Sequence, residues 1–177
     1  MATATRPWTR ADLDRFPDDG NRYEVLDGEL LVTPSPSRTH QIVALRLARI
    51  LGDYCDHYRI GYVMAPGAAP RGKSELQPDI LATVDPTRPI DARWDETEPV
   101  GLVVEVLSPG SRAHDQVTKR AAYRRWGFPE YWVVDTDARA VTVARQGHRD
   151  RRVTDTLRWQ PKPDVPPLVI GVERLFT

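Results

Sequence analysis

The sequence has little cysteine, little lysine, no long apolar run and no net charge, and each scarcity removes a class of protein. A single cysteine, Cys55, cannot form an internal disulfide, and no Cys/His pair stands at zinc-ligand spacing, so disulfide scaffolds and zinc ribbons are excluded. The longest apolar runs, Gly101 to Leu107 and Pro167 to Gly171, fall far below the roughly 18 residues of a membrane span. Residues 1–20 contain no apolar stretch of signal-peptide type. No membrane partner is expected, and the expected compartment is the cytoplasm. The 25 basic residues balance 25 acidic ones, which argues against a domain that holds nucleic acid by overall positive charge and leaves room only for a local phosphate-facing patch. Only Lys73, Lys119 and Lys162 are lysines, so the positive surface is made of arginine, and a lysine kept within a helix reads as a point charge with a specific place.

What is present describes a folded chain. With 177 residues, 40% hydrophobic and 28% charged, the sequence suits one globular domain spanning residues 1–177 and not disorder or a fibre. The balanced charge is uneven along the chain: residues 1–111 carry a net −5, residues 112–158 a net +5, and residues 159–177 are neutral.

Thr9 with Asp12 three residues later has the form of a capping box and predicts a short helix closed by Pro17 and Gly20. Two β-compatible runs, 22–26 and 29–33, flank Asp27-Gly28 and predict a tight hairpin. From Ser37 as N-cap, Ile42, Leu45, Leu47, Ile50 and Leu51 recur at helical spacing to about Tyr58. Residues 60–64 and 78–84 read as strands separated by a Pro/Gly/Ala-rich loop, and the polar, proline-containing stretch 85–99 reads as a surface excursion. Residues 100–107 are nearly continuous in β-branched and apolar side chains, as in a strand buried on both faces. Ser111 predicts the cap of a helix running to about Trp126, stopped by Gly127 and Pro129. Residues 130–134 and 140–144 read as strands, with edge strands near Val153 and over 168–170. The expected fold is α/β, a mixed central β-sheet flanked by helices.

Within the most apolar strand stands one acid, Glu105. An unpartnered carboxylate there costs several kcal/mol, so it needs either a structural ion pair or a functional partner. Asp79, after Pro78, is by itself an ordinary residue for the start of a strand. Two carboxylates on adjacent strands share a hard cation such as Mg²⁺, which takes one or two protein carboxylates and keeps waters for a phosphate. Asp115, Lys119 and Tyr123 follow at i, i+4 and i+8 and share one helix face; the plain reading of Asp115 with Lys119 is a solvated pair. His40 serves equally as a capping residue, a surface residue or a substrate contact. His57, His114 and His148 show no ligand spacing, Tyr131-Trp132 reads as core, and Ser108 and Ser111 lack the context of a serine nucleophile.

The runs Arg-Tyr-Glu-Val-Leu-Asp-Gly-Glu-Leu, His40, Gln-Pro-Asp-Ile, Val-Glu-Val-Leu-Ser-Pro, Asp115 with Lys119, and Gly-Phe-Pro-Glu-Tyr-Trp-Val-Val-Asp, in that order over about residues 8–176, resemble the Uma-two family of restriction endonuclease-like proteins in the PD-(D/E)xK nuclease superfamily. The resemblance implies a restriction-endonuclease-like core and Mg²⁺- or Mn²⁺-dependent hydrolysis of nucleic-acid phosphodiesters, DNA in the first place. It assigns Asp79 and Glu105 as the two acids, with the Val106 carbonyl as a further metal ligand and Glu24 as an early acid of the site. The lysine expected two residues after Glu105 is Leu107 here, and Lys119 on the following helix takes that role. A homodimer is expected from the resemblance and from the need to span a duplex. The alternative is a nuclease-fold binding protein without cleavage. Loops 65–75 and 85–99 would carry any sequence preference.

Overall fold

Every residue of Val100–Val106 (β7) is buried, as its apolar run predicts, and the rest of the fold is arranged around that strand. In this computed structural model, which describes residues 6–93, 95–108 and 114–177, β7 pairs antiparallel with Ile80–Thr83 (β6) and parallel with Glu130–Asp135 (β8). The registers are Ile80↔Val104 on one side and Val104↔Trp132 on the other. Ala140–Arg145 (β9) folds back antiparallel on β8, and Arg151–Val153 (β10) and Val63–Met64 (β3) form the two edges. The six-stranded order is β10-β9-β8-β7-β6-β3.

Alternation divides this sheet into two faces. Ile80, Ala82, Leu102, Val104, Val106, Trp132 and Val134 face Arg38–Tyr58 (α1), which buries Val43, Leu47, Leu51, Tyr54 and Cys55 against them. α1 starts where predicted, with the Ser37 hydroxyl accepting from the His40 N–H, and ends at Arg59 in the left-handed region (φ 50°). Leu81, Val103 and Val133 point to the other face, where Leu26, Leu31, Leu76, Tyr123 and Phe128 cover them. Gly101 lies against Val84 and Trp159, and a β-carbon there would overlap the Val84 side chain. Gly101→Ala is therefore expected to lower stability by roughly 1–3 kcal/mol, the scale of an overpacked core, measured by urea denaturation.

A second, four-stranded sheet brings Arg22–Leu26 (β1) and Glu29–Thr33 (β2) over that face. Their hairpin turns on Asp27 (φ 52°) and Gly28 (φ 91°), the two positive φ values that a tight I′ turn requires. The segment expected to be a loop between residues 65 and 75 instead holds Ala69–Arg71 (β4) and Ser74–Leu76 (β5), a hairpin around Gly72 (φ 57°) with Pro70 on the sheet's outer strand. The strand expected over 60–64 is confined to its last two residues, and the one expected over 78–84 to Ile80–Thr83. Near the C-terminus Thr156–Trp159 (β11) pairs with Leu168–Gly171 (β12) as a separate two-stranded sheet, so the single expected sheet is three.

The single helix expected from Ser111 to Trp126 is a π-helical turn, His114–Lys119, running into Arg120–Arg125 (α2). The Ser111 cap lies outside the described residues, as does the Asp115 side chain. Thr9 and Asp12 make the expected capping box on the short 3-10 turn Arg10–Arg15. No helix among the described residues is long and apolar enough to cross a membrane.

Candidate active site

The β6–β7 register, carried one residue beyond Ile80↔Val104, sets Asp79 opposite Glu105 where β6 begins. Antiparallel neighbours at such a position lie within a few ångströms of each other, so two acids far apart in sequence come together at the mouth of one cleft. The cleft holds about 270 Å³ and its lining includes Arg22, His40, Gln77, Asp79, Glu105 and Lys119, with Asp18, Gly20, Asn21 and Ser108.

Asp79 is buried and held by three donors from three elements. Arg22 Nη2 of β1 lies 2.7 Å from Oδ1; His40 Nε2, from the first turn of α1, lies 2.9 Å from Oδ2; the Val106 N–H of β7 donates to the same Oδ2 at 2.8 Å. Since Oδ2 accepts from Val106, His40 presents Nε2–H as the donor. Burial alone would raise the Asp79 carboxyl, but the His40 hydrogen bond, the Arg22 charge and the Val106 N–H outweigh it and hold the group down at about 2. A carboxyl held near 2, against 3.8 for the free group, contributes about 2 kcal/mol of folding stability. That contribution is complete above pH 4 and is lost as the pH falls through 2. Asp79→Asn is expected to flatten the stability-against-pH curve between pH 5 and 2, measured by denaturant titration at each pH.

Glu105 is just as enclosed. Its Oε1 accepts from Lys119 Nζ at 3.1 Å and from the Tyr123 hydroxyl at 3.0 Å. Burial first, then the charges of Glu105 and Glu24, push the Tyr123 hydroxyl well above its ordinary range, so it stays a donor. Lys119 is 1% exposed and also reaches Glu24 Oε2 at 2.8 Å. Glu24, fully buried, accepts the Gln77 N–H on its other oxygen at 2.7 Å. Burial would lower the Arg22 guanidinium, and the charges of Asp79 and Glu105 outweigh that and raise it.

Asp79, Glu105 and Lys119 thus converge as the sequence suggests, with Glu24 one step behind, holding Lys119 from the closed side of the cleft. Lys119 and Tyr123 both reach Glu105, as a shared face requires. His40 is not a surface residue: it is 6% exposed and set against Asp79. No local signal in the sequence marks Arg22 as a partner of Asp79, although its alternation with Glu24 along β1 puts both on one side of the strand. His57 and His148 are exposed and lie elsewhere, and Tyr131 and Trp132 are core.

A protein-family model described as "Putative restriction endonuclease", Uma2, matches residues 10–173. The chain belongs to the Uma2 family. A solved structure, described as a "putative nuclease belonging to DUF820 from Anabaena variabilis ATCC 29413", matches this Uma2 chain with a TM-score of 0.71 and 20% sequence identity. The match covers 96% of this chain and 98% of that one, and at this identity it shows a shared fold. No curated protein matches the chain. The mixed α/β architecture is therefore that of a restriction-endonuclease-like family, and the cleft at the start of β6 is where this Uma2 fold gathers its acids and its buried lysine.

Proposed function

We propose that this Uma2 chain is a Mg²⁺- or Mn²⁺-dependent endonuclease that hydrolyses DNA phosphodiester bonds as a homodimer. The observation that carries the reading is the convergence, in one open cleft, of two carboxylates from adjacent strands with a buried ammonium against one of them.

The donor set fits a small hard cation. Asp79 Oδ2 spends both lone pairs on His40 and Val106, while Oδ1 spends one on Arg22 and keeps one to offer. In an extended strand a residue's C=O points to the same side as its N–H, so the Val106 carbonyl faces the Asp79 side of β7. Asp79, Glu105 and the Val106 carbonyl would hold the ion, a ligand count that suits Mg²⁺ with its retained waters. When bound, the ion supplies Lewis acidity at the phosphoryl oxygen and acidifies water.

The chain's own residues do the rest. Arg22 and His40 fix the Asp79 carboxylate in one orientation, and Arg22, on the wall of the cleft, is placed to meet a phosphate oxygen. Lys119 offers a point charge to the negative charge that grows in the transition state, held in place by Glu24 behind it. Among the described residues no side chain in the cleft is set as a nucleophile, so attack is by water and no covalent intermediate forms.

The rival reading, a nuclease-fold binding protein, draws on the same contacts: Asp79 and Glu105 are each already paired with a cation of the chain. Plasmid nicking with Mg²⁺ or Mn²⁺, abolished by EDTA, is the expected result. A folded protein that neither nicks nor binds either ion at millimolar concentration in calorimetry leaves the rival standing.

A further inference from the structure

One face of α1 lies on the outside of the molecule. Arg38, Ile42, Leu45, Arg49, Gly52 and Asp56 recur at alternating steps of four and three residues and so form one straight seam. The seam is opposite Val43, Leu47, Leu51 and Tyr54, which are buried in the core. Two large apolar side chains stand side by side on it, Leu45 at 71% and Ile42 at 37% exposure. A β-carbon at Gly52 would meet nothing within 4 Å, so the helix backbone there is open to close approach.

The order of residues along the seam identifies its occupant. Turned antiparallel on itself about a two-fold axis at position 47, the seam opposes Arg38 to Asp56, Ile42 to Gly52 and Leu45 to Arg49, each pair occurring twice. The charges at the two ends of the seam are of opposite sign: Arg38 is exposed at the N-terminal end and Asp56 at the C-terminal end. A parallel arrangement would oppose like charges, and a partner of one sign would match only one end of the seam. An antiparallel pair also sets opposite helix-dipole ends side by side.

We propose that α1 is the homodimer interface of this protein and that the partner on this seam is a second copy of the chain. The inference rests on the dimer in the functional reading and not on its chemistry. Ile42 lies over the backbone at the partner's Gly52, the Leu45 side chains pack along the aliphatic stems at position 49, and the two Arg38–Asp56 pairs close the ends. One helix pair is at the low end of interface sizes, so the dimer forms in a concentration-dependent way. His40, beside Asp79, stands in the first turn of α1, so the two clefts lie toward opposite ends of the pair. At 1.5 Å per residue their His40 positions are roughly 20 Å apart along its axis.

Sedimentation velocity of the full chain, without DNA or metal, tests this independently of cleavage. The wild-type mass is expected to rise toward twice the monomer with concentration. Arg38→Asp and Asp56→Arg, both on the exposed face and neither in the cleft, each turn two attractive pairs into repulsive ones and are expected to weaken association roughly tenfold or more. An equimolar mixture of the two variants opposes Asp to Arg at both ends again and is expected to recover the dimer as a heterodimer. Leu45→Arg, which sets like charges against position 49, is expected to weaken association while circular dichroism stays unchanged. A wild type that remains monomeric at several hundred micromolar overturns the proposal. So do a dimer indifferent to all three substitutions and a mixture no better than its components.

Discussion

Lys119→Met is expected to destabilise the fold by roughly 3–5 kcal/mol, the scale for removing one partner from a buried ion pair. Methionine fills much the same volume, so the loss is electrostatic and not a cavity. The ammonium lies 2.8 Å from Glu24 and 3.1 Å from Glu105, and both acids are essentially unexposed. Without it two carboxylates face each other with little water to screen them. On the helix surface, paired only with Asp115, the same lysine would change stability by under about 1 kcal/mol, so the magnitude separates the two arrangements. Adding Glu105→Gln to Lys119→Met takes away one of the stranded charges and is expected to restore part of the loss. A double-mutant cycle by urea denaturation measures that coupling. Lys119→Arg is expected to be poorly tolerated, since a planar guanidinium does not fit where an ammonium bridges two acids. A Lys119→Met protein within about 1 kcal/mol of wild type would contradict the bridge.

The sequence shows the chemistry of the site more readily than its wiring. Glu105 is visible because an acid in an unbroken apolar strand needs a partner, and Lys119 because lysine is so scarce in this chain. The connections to Asp79 are not visible, because Arg22 lies 57 residues from it and His40 lies 39 residues away. Such contacts exist only once β1, α1 and β6 have been brought together, and no local period records them. The same division holds for the fold. β7, the Asp27-Gly28 turn and α1 follow from burial, turn chemistry and capping within a few residues. The β4–β5 hairpin is hidden because Pro66, Gly67 and Pro70 read as loop, and an outer strand tolerates the proline that a central strand rejects. The pairing of β11 with β12, across the proline-rich 160–167 stretch, and the resulting division into three sheets depend on contacts that alternation alone does not specify.

Glu105→Gln is expected to remove metal-dependent cleavage by 10²-fold or more while leaving the fold largely intact, the usual scale for losing one designed charge interaction at a transition state. The substitution keeps the shape of the side chain and an oxygen that can accept from Tyr123 Oη and Lys119 Nζ, now 3.0 and 3.1 Å from Glu105 Oε1. It leaves Lys119 paired to Glu24, so no buried charge is stranded, and its stability loss is expected to be well below that of Lys119→Met. What it does remove is a hard anionic donor beside Asp79. Calorimetry is therefore expected to show weaker Mn²⁺ and Mg²⁺ binding in Glu105→Gln than in wild type, alongside the lost nicking. Lost nicking with unchanged metal affinity would move Glu105 from holding the ion to positioning Lys119. Wild-type nicking in this variant would remove Glu105 from the site altogether and leave its contacts with Lys119 and Tyr123 as a structural ion pair in the centre of the sheet.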